Sequence, residues 1–147
     1  GQHVDVSNRF ISMPSCRNRV LGCQMFKYDI AGFLQWGYNF YYSQYSTYPV
    51  NPFQTTDALQ AFPSGDAFVV YPGPEGPLPS LRLWVFHEAL QDMRAMQLLA
   101  GRIGKQAVTA LIDEGLDAPV TFSTYPHSAA YVLSLREKIN RRIAETC

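Results

Sequence analysis

Two carboxylates are set apart by their neighbours. Asp57 and Asp66 lie in an aromatic stretch, flanked by Thr55-Thr56 and by Ser64-Gly65, whereas Glu88, Asp92, Asp113, Glu114, Glu137 and Glu145 fall on helical patterns. Upstream, Gly32-Phe-Leu-Gln-Trp-Gly-Tyr-Asn-Phe40 is an apolar run ending in rings and an amide, and residues 33–48 hold eight of the twenty aromatics. A carboxylate accepting hydroxyl hydrogens beside a ring with a free face suits a flat, polyhydroxylated ligand. On that chemistry Trp36 is a stacking platform, Tyr38, Asn39 and Tyr71 are hydrogen-bonding wall residues, and Asp57 and Asp66 are hydroxyl acceptors. The plainer alternatives stay open: the rings are core, and each Asp closes a local turn onto a backbone N–H.

Other chemistries find no support. Twelve basic and twelve acidic side chains cancel, so no long-range field draws nucleic acid or an anionic membrane. The aromatic region 33–71 holds no Lys or Arg, the wrong composition for a phosphate-tracking groove. There is no GxSxG, GxGxxG, P-loop or HExxH. Cys16, Cys23 and Cys147 form no CxxC, and His3, His87 and His127 are scattered. The expectation is small buried thiols, no metal site and no cofactor. No apolar run approaches the ~20 residues of a membrane span, and no signal peptide is visible. A soluble chain is expected, of unknown compartment.

The elements that would position these residues can be read in order. Residues 1–14 read as an extended lead-in, with Val4 and Val6 alternating with polar neighbours. Cys16 to Tyr28 reads as a helix apolar over most of its girth, hence largely buried. Asp29-Ile-Ala-Gly32 then turns into an apolar strand, the second half of a β-α-β unit. Residues 43–80 carry seven of the ten prolines and a short β-rich run at 67–71. Their aromatic content argues for an ordered lid or wall rather than disorder. Pro79-Ser80 starts the strongest helix, which runs to Gly101 or Gly104. Lys105–Glu114 is a short helix closed by Gly115, and Ser128–Ala144 is a final helix with Val132, Leu135, Ile139 and Ile143 as its stripe. Arg136, Lys138, Arg141 and Arg142 are read as that helix's solvated face. Glu88 and Asp92 stand four apart, where like charges repel on a helix, so a cation, Arg19 or Arg17, is expected between them.

One or two strands cannot form a sheet that buries these helices. The chain therefore reads as α/β, incomplete in itself or self-associating through an exposed edge.

Several ordered blocks carry a resemblance: Gly32-Phe-Leu-Gln-Trp-Gly-Tyr-Asn-Phe40, Asn51-Pro52, Phe62-Pro-Ser-Gly-Asp66, Val70-Tyr-Pro-Gly73, Pro79-Ser-Leu-Arg-Leu83 and Glu88-Ala-Leu-Gln-Asp92, with Ser7-Asn-Arg-Phe10 and Arg17-Asn-Arg19 upstream. Together they resemble the C-terminal part of the bacterial domain of unknown function 4091, the catalytic-domain type of glycoside hydrolase family 123. The resemblance covers about residues 5–100. It implies the end of a (β/α)8 barrel, with a strand at 32–40 as the eighth, where a whole barrel takes about 250 residues. Residues 1–104 would supply the last β/α units and residues 105–147 a helical tail packed on them.

Characterised relatives of this type are similar to β-N-acetylgalactosaminidases. In their substrate-assisted reaction the sugar's acetamido oxygen attacks the anomeric carbon, an Asp steadies the acetamido group and the adjacent Glu is the acid/base. No residue here matches that pair, and Asp113-Glu114 at a helix end is read as a coincidence. The implied role is a sugar-binding wall for an N-acetylhexosamine-containing glycan, with the rest of the barrel or a second copy as partner. The alternative is a non-catalytic carbohydrate-binding or interaction module that self-associates.

Overall fold

The structure, a computed structural model, describes residues 5–146; His3, Val4 and Cys147 lie outside that range. Helices α1 (Ser15–Arg19) and α2 (Leu21–Lys27) open the fold, followed by a single 3-10 turn at Gln44–Ser46. The hairpin of β1 (Val70–Gly73) and β2 (Gly76–Pro79) comes next, then α3 (Leu81–Ile103), α4 (Lys105–Asp113) and α5 (Ala129–Glu145). The class is mixed: among the described residues, a layer of helices lies beside a two-stranded antiparallel sheet.

The expected helix from Cys16 to Tyr28 is present as two pieces meeting at Val20. The Cys23 N–H reaches the Val20 carbonyl three residues back at 2.9 Å, the tighter winding that marks a local break. Its breadth of apolar surface was read correctly, since Leu21 to Phe26 are all buried. Ser80 caps α3, its hydroxyl accepting from the Leu83 N–H at 3.3 Å. Gly104, at φ 87°, ends that helix, in backbone space that costs glycine little. Ser128 caps α5 in the same manner through the Ala130 N–H at 3.1 Å.

One expected element does not form. Among the described residues, 32–37 pair with no strand, and the segment gains only an isolated antiparallel bridge, Asn39 with Phe68. The Phe40 N–H donates to the Ala67 carbonyl at 3.0 Å and the Val69 N–H to the Tyr38 carbonyl at 2.9 Å. A run of strand-forming residues becomes a strand only beside a partner backbone, and here three residues find one. The β-rich run at 67–71 is likewise divided: its first half makes this bridge and its second begins β1. The long segment 43–80 is built of turns, bridges and the hairpin.

The core is helical. Val20, Cys23 and Phe26 from the first layer meet Ala95, Met96 and Leu99 of α3, Val108 and Ile112 of α4, and Val132, Leu135 and Ile139 of α5. α3 packs against α1, α2, α4 and α5, which makes it the central element. Each fully buried side chain of this size contributes about 1.5–3 kcal/mol by transfer from water. The last two helices are therefore part of the same core as the first two.

Charges seal this core. Arg19 sits between the two carboxylates of α3, as their spacing predicts, at 3.8 Å from Glu88 and 2.7 Å from Asp92. Arg136, read from sequence as solvated, instead crosses from α5 to bind Asp92 at 2.9 Å. The correction has a simple cause: Leu135 and Ile139 turn that face inward, and an arginine between them must find an anion. Lys138 binds Glu114 across α4 and α5, while Arg141 and Arg142 are exposed as expected.

Cys16 and Cys23 are free and buried, and the Cys16 thiol donates to the His127 carbonyl at 2.7 Å. Burial, assisted by Asp92, pushes the Cys23 thiol up to about 12 from its usual 9.0. The unfolded chain therefore ionises this thiol first. Its contribution to stability is complete below pH ~9 and is lost as pH rises toward 12, by roughly 4 kcal/mol at 1.36 kcal/mol per unit. Burial also raises Tyr131 and Tyr41, which steepens the same loss. Urea midpoints measured from pH 8 to 11 should fall, and Cys23→Ala should flatten the fall; an equal slope in both proteins would contradict this assignment.

Candidate functional site

A cleft of about 510 Å³ opens where the lead-in, α2 and the 30–36 segment meet, within the roughly 300–1,000 Å³ typical of ligand sites. Its buried floor is mixed: polar Asn8, Arg9, Gln24 and Asp66 beside apolar Leu21 and Met25. Its rim is apolar and open, with Phe33, Leu34, Trp36 and Phe122 exposed.

The floor is held from behind by Arg82, the second residue of α3. Its Nη1 donates to the carbonyls of Arg9 (2.9 Å), Phe68 (2.8 Å) and Gly65. One guanidinium thus fixes the lead-in against the turn that carries Asp66. Asn18 steadies the start of α3 in turn, donating to the Arg82 carbonyl at 2.8 Å. Arg9 lies against a pair of rings that meet edge-on, 4.8 Å from the Phe33 centroid and 5.5 Å from that of Phe86, and its Nε donates to the Gln35 side-chain oxygen. Burial pushes the Arg9 guanidinium down to about 10, with Arg82 pushing the same way and Asp66 opposing. The guanidinium remains charged at neutral pH.

Trp36 reaches the rim because of the residue after it. A Cβ on Gly37 would sit 2.3 Å from the Asp66 carbonyl oxygen and 2.6 Å from the Ala67 carbonyl carbon. Only glycine lets these two backbones touch, which is what brings Trp36 and Asp66 to one cleft. The indole leans on Phe62 edge-on (5.1 Å, 69°) and on Phe40 (5.7 Å, 54°), yet stays 48% exposed. Phe62 is carried by an uncommon turn: Ala58, Leu59 and Gln60 all have left-handed backbones, φ 53°, 62° and 67°. Such residues cost roughly 1–2 kcal/mol each and tend to cluster at functional sites.

Of the residues singled out by sequence, Trp36 and Asp66 line this cleft and the other four lie outside its lining. Tyr38 and Asn39 are exposed at the bridge to residues 68–69. Asp57 is half-buried, and its carbonyl oxygen, not its carboxylate, closes the left-handed turn by accepting from Ala61 and Phe62, both at 3.0 Å. Tyr71 stacks on Phe53 (5.2 Å, 29°) at a separate shallow depression with Pro52, Thr56 and Leu78. Sequence reasoning gave no role to Asn8, Arg9, Gln24 or Phe122. The first two lie in the Ser7-Asn-Arg-Phe10 block, which was the available signal.

Asp113 and Glu114 do not form a working pair. Asp113 is held by Lys27 at 2.6 Å, while Glu114 binds Lys138, which draws its carboxyl below the usual range. Among the described residues, no three His, Cys, Asp or Glu side chains could share a metal ion, and no helix is long and apolar enough to cross a membrane.

No curated protein matches the chain. The family model described as glycoside hydrolase 123, catalytic domain, matches residues 2–99. That span takes in the lead-in, both ring-bearing segments, the Gly37–Asp66 contact and most of α3, and the chain belongs to this family.

Proposed function

We propose that the chain supplies the sugar-binding wall and floor of an N-acetylhexosaminidase-type site in a glycoside hydrolase, whose catalytic Asp-Glu pair lies outside this chain. The observation that carries the reading is the pairing of a half-open indole with buried Asp66 in one cleft. Trp36 offers its face to the apolar C–H side of a pyranose. Asp66 accepts from ring hydroxyls, and Asn8 and Gln24 share its cleft. Tyr38, Asn39 and Asp57 extend the wall to groups reaching out of the cleft, and Tyr71 does so at the neighbouring depression. The fold is then the end of a (β/α)8 barrel. Segment 32–40 takes its strand form beside upstream strands, and the exposed Leu34, Leu81 and Trp84 are covered by the rest of the barrel or by a second copy.

The test uses the indole as its own reporter. With Trp84 changed to Phe, titration with N-acetylgalactosamine should alter Trp36 fluorescence saturably, and Trp36→Ala should weaken binding measured by calorimetry about tenfold or more. Absence of saturable binding, or unchanged affinity without the indole, would sink the reading. The chain alone should not hydrolyse an aryl N-acetylgalactosaminide, and measurable turnover would contradict the missing acid/base.

A further inference from the structure

We infer that Phe122, which lies outside the family-matched span, is a specificity residue of the cleft, stacking on a second sugar ring next to the one held by Trp36. This rests on the sugar-binding reading above and adds a subsite to it.

Phe122 is on the connector between α4 and α5, yet its ring lines the same cleft as Trp36 and Asp66. The connector is tied to α4, to α2 and to the residue that ends α2 just before that ring, and it closes on itself just after it. The Val120 N–H donates to Asp113 Oδ1 at 2.9 Å, and the Val120 carbonyl accepts from the Tyr28 hydroxyl at 3.0 Å. The Thr121 carbonyl accepts from Gln24 Nε2 at 2.9 Å, and the Thr124 N–H closes onto Thr121 Oγ1 at 2.9 Å. Asp113 is itself fixed by both of its contacts with Lys27, at 2.7 and 2.6 Å.

Phe122 stays 45% exposed, stacked on Tyr28 with centroids 4.8 Å apart and planes 29° off parallel. Its backbone is fixed and its face is left open at the cleft rim, so little ordering remains to be done on binding. The two aromatic platforms rest on different supports, Trp36 on Phe40 and Phe62, Phe122 on Tyr28. On this assignment a single pyranose rests on Trp36 alone, and the second ring of a disaccharide rests on Phe122.

The experiment measures binding of methyl β-N-acetylgalactosaminide and of a β-linked N-acetylhexosamine disaccharide to the full chain by calorimetry. Phe122→Ala and Phe122→Leu should each weaken the disaccharide about tenfold and the monosaccharide less than about twofold. Phe122→Tyr, which keeps the ring, should restore disaccharide affinity. A Phe122→Leu protein that binds the disaccharide as the parent does would overturn this assignment while leaving the Trp36 site intact. A parent chain that binds neither sugar would overturn both readings. Equal losses for both sugars would overturn the second subsite.

Discussion

Asp92→Ala is expected to lower stability by about 3–5 kcal/mol, the cost of leaving buried charge without its counter-ion. The carboxylate is 7% exposed and binds Arg19 and Arg136 at 2.7 and 2.9 Å, so its removal leaves two guanidinium groups facing one another across α1, α3 and α5. At about 2–4 °C per kcal/mol for a chain of this size, thermal unfolding should fall by roughly 10 °C. Urea unfolding gives the free energy directly. A loss below about 1 kcal/mol would mean that both arginines escape to water. Replacing all three side chains by apolar ones of similar volume should recover most of the loss, because the triad holds a register that packing could also hold. Cys23 supplies a second readout. Asp92 helps to raise its thiol, so the Asp92→Ala protein should react faster with a thiol reagent at pH 9 under native conditions.

The second large effect falls on Gly22. Alanine usually improves a helix by up to about 1 kcal/mol over glycine. Here the added Cβ would lie 2.0 Å from the Ala89 carbonyl oxygen and 2.8 Å from its carbon. Both are backbone atoms of the central helix, which cannot rotate aside. Overpacking of this kind costs about 1–3 kcal/mol or more, and the net change for Gly22→Ala should be a loss of about 2 kcal/mol. Gly101→Ala is the control. That glycine is in α3 with nothing within 4 Å of an added Cβ, and the same substitution should be neutral or stabilising there. A Gly22→Ala protein as stable as the parent would show that α2 can slide. Because α2 carries Leu21, Gln24 and Met25 into the cleft, sliding should also weaken sugar binding.

What the sequence disclosed depended on range. Ser80 and Ser128 announce α3 and α5, and the Val132, Leu135, Ile139 stripe gives the buried face of α5, because caps and periodicity are local. Arg19 was predictable because two carboxylates four residues apart ask for a cation. Arg136 was not, since its partner lies on another helix and its own neighbours look like a solvated face. Residues 32–40 show the same limit for strands. Their composition favours pairing, but pairing is a property of two segments, and only 38–40 meet a second one. The site divides similarly. Trp36 and Asp66 were visible as an indole and a loop carboxylate, but their meeting depends on Gly37 having no side chain. Gln24 and Phe122 were hidden because a helix face and a connector gave no reason to look toward the same opening.

The family-matched span ends at Leu99, in the last turns of α3 and inside the hydrophobic core. A chain stopped there would lose Val108, Ile112, Val120, Val132, Leu135 and Ile139 from one face of that helix, together with the Arg136 half of the Asp92 clamp. Units that open together in exchange or proteolysis are bounded by shared burial rather than by recurrence among relatives. By that criterion α1 through α5 form one cooperative unit, and the shortest piece able to fold extends well past the portion that relatives share.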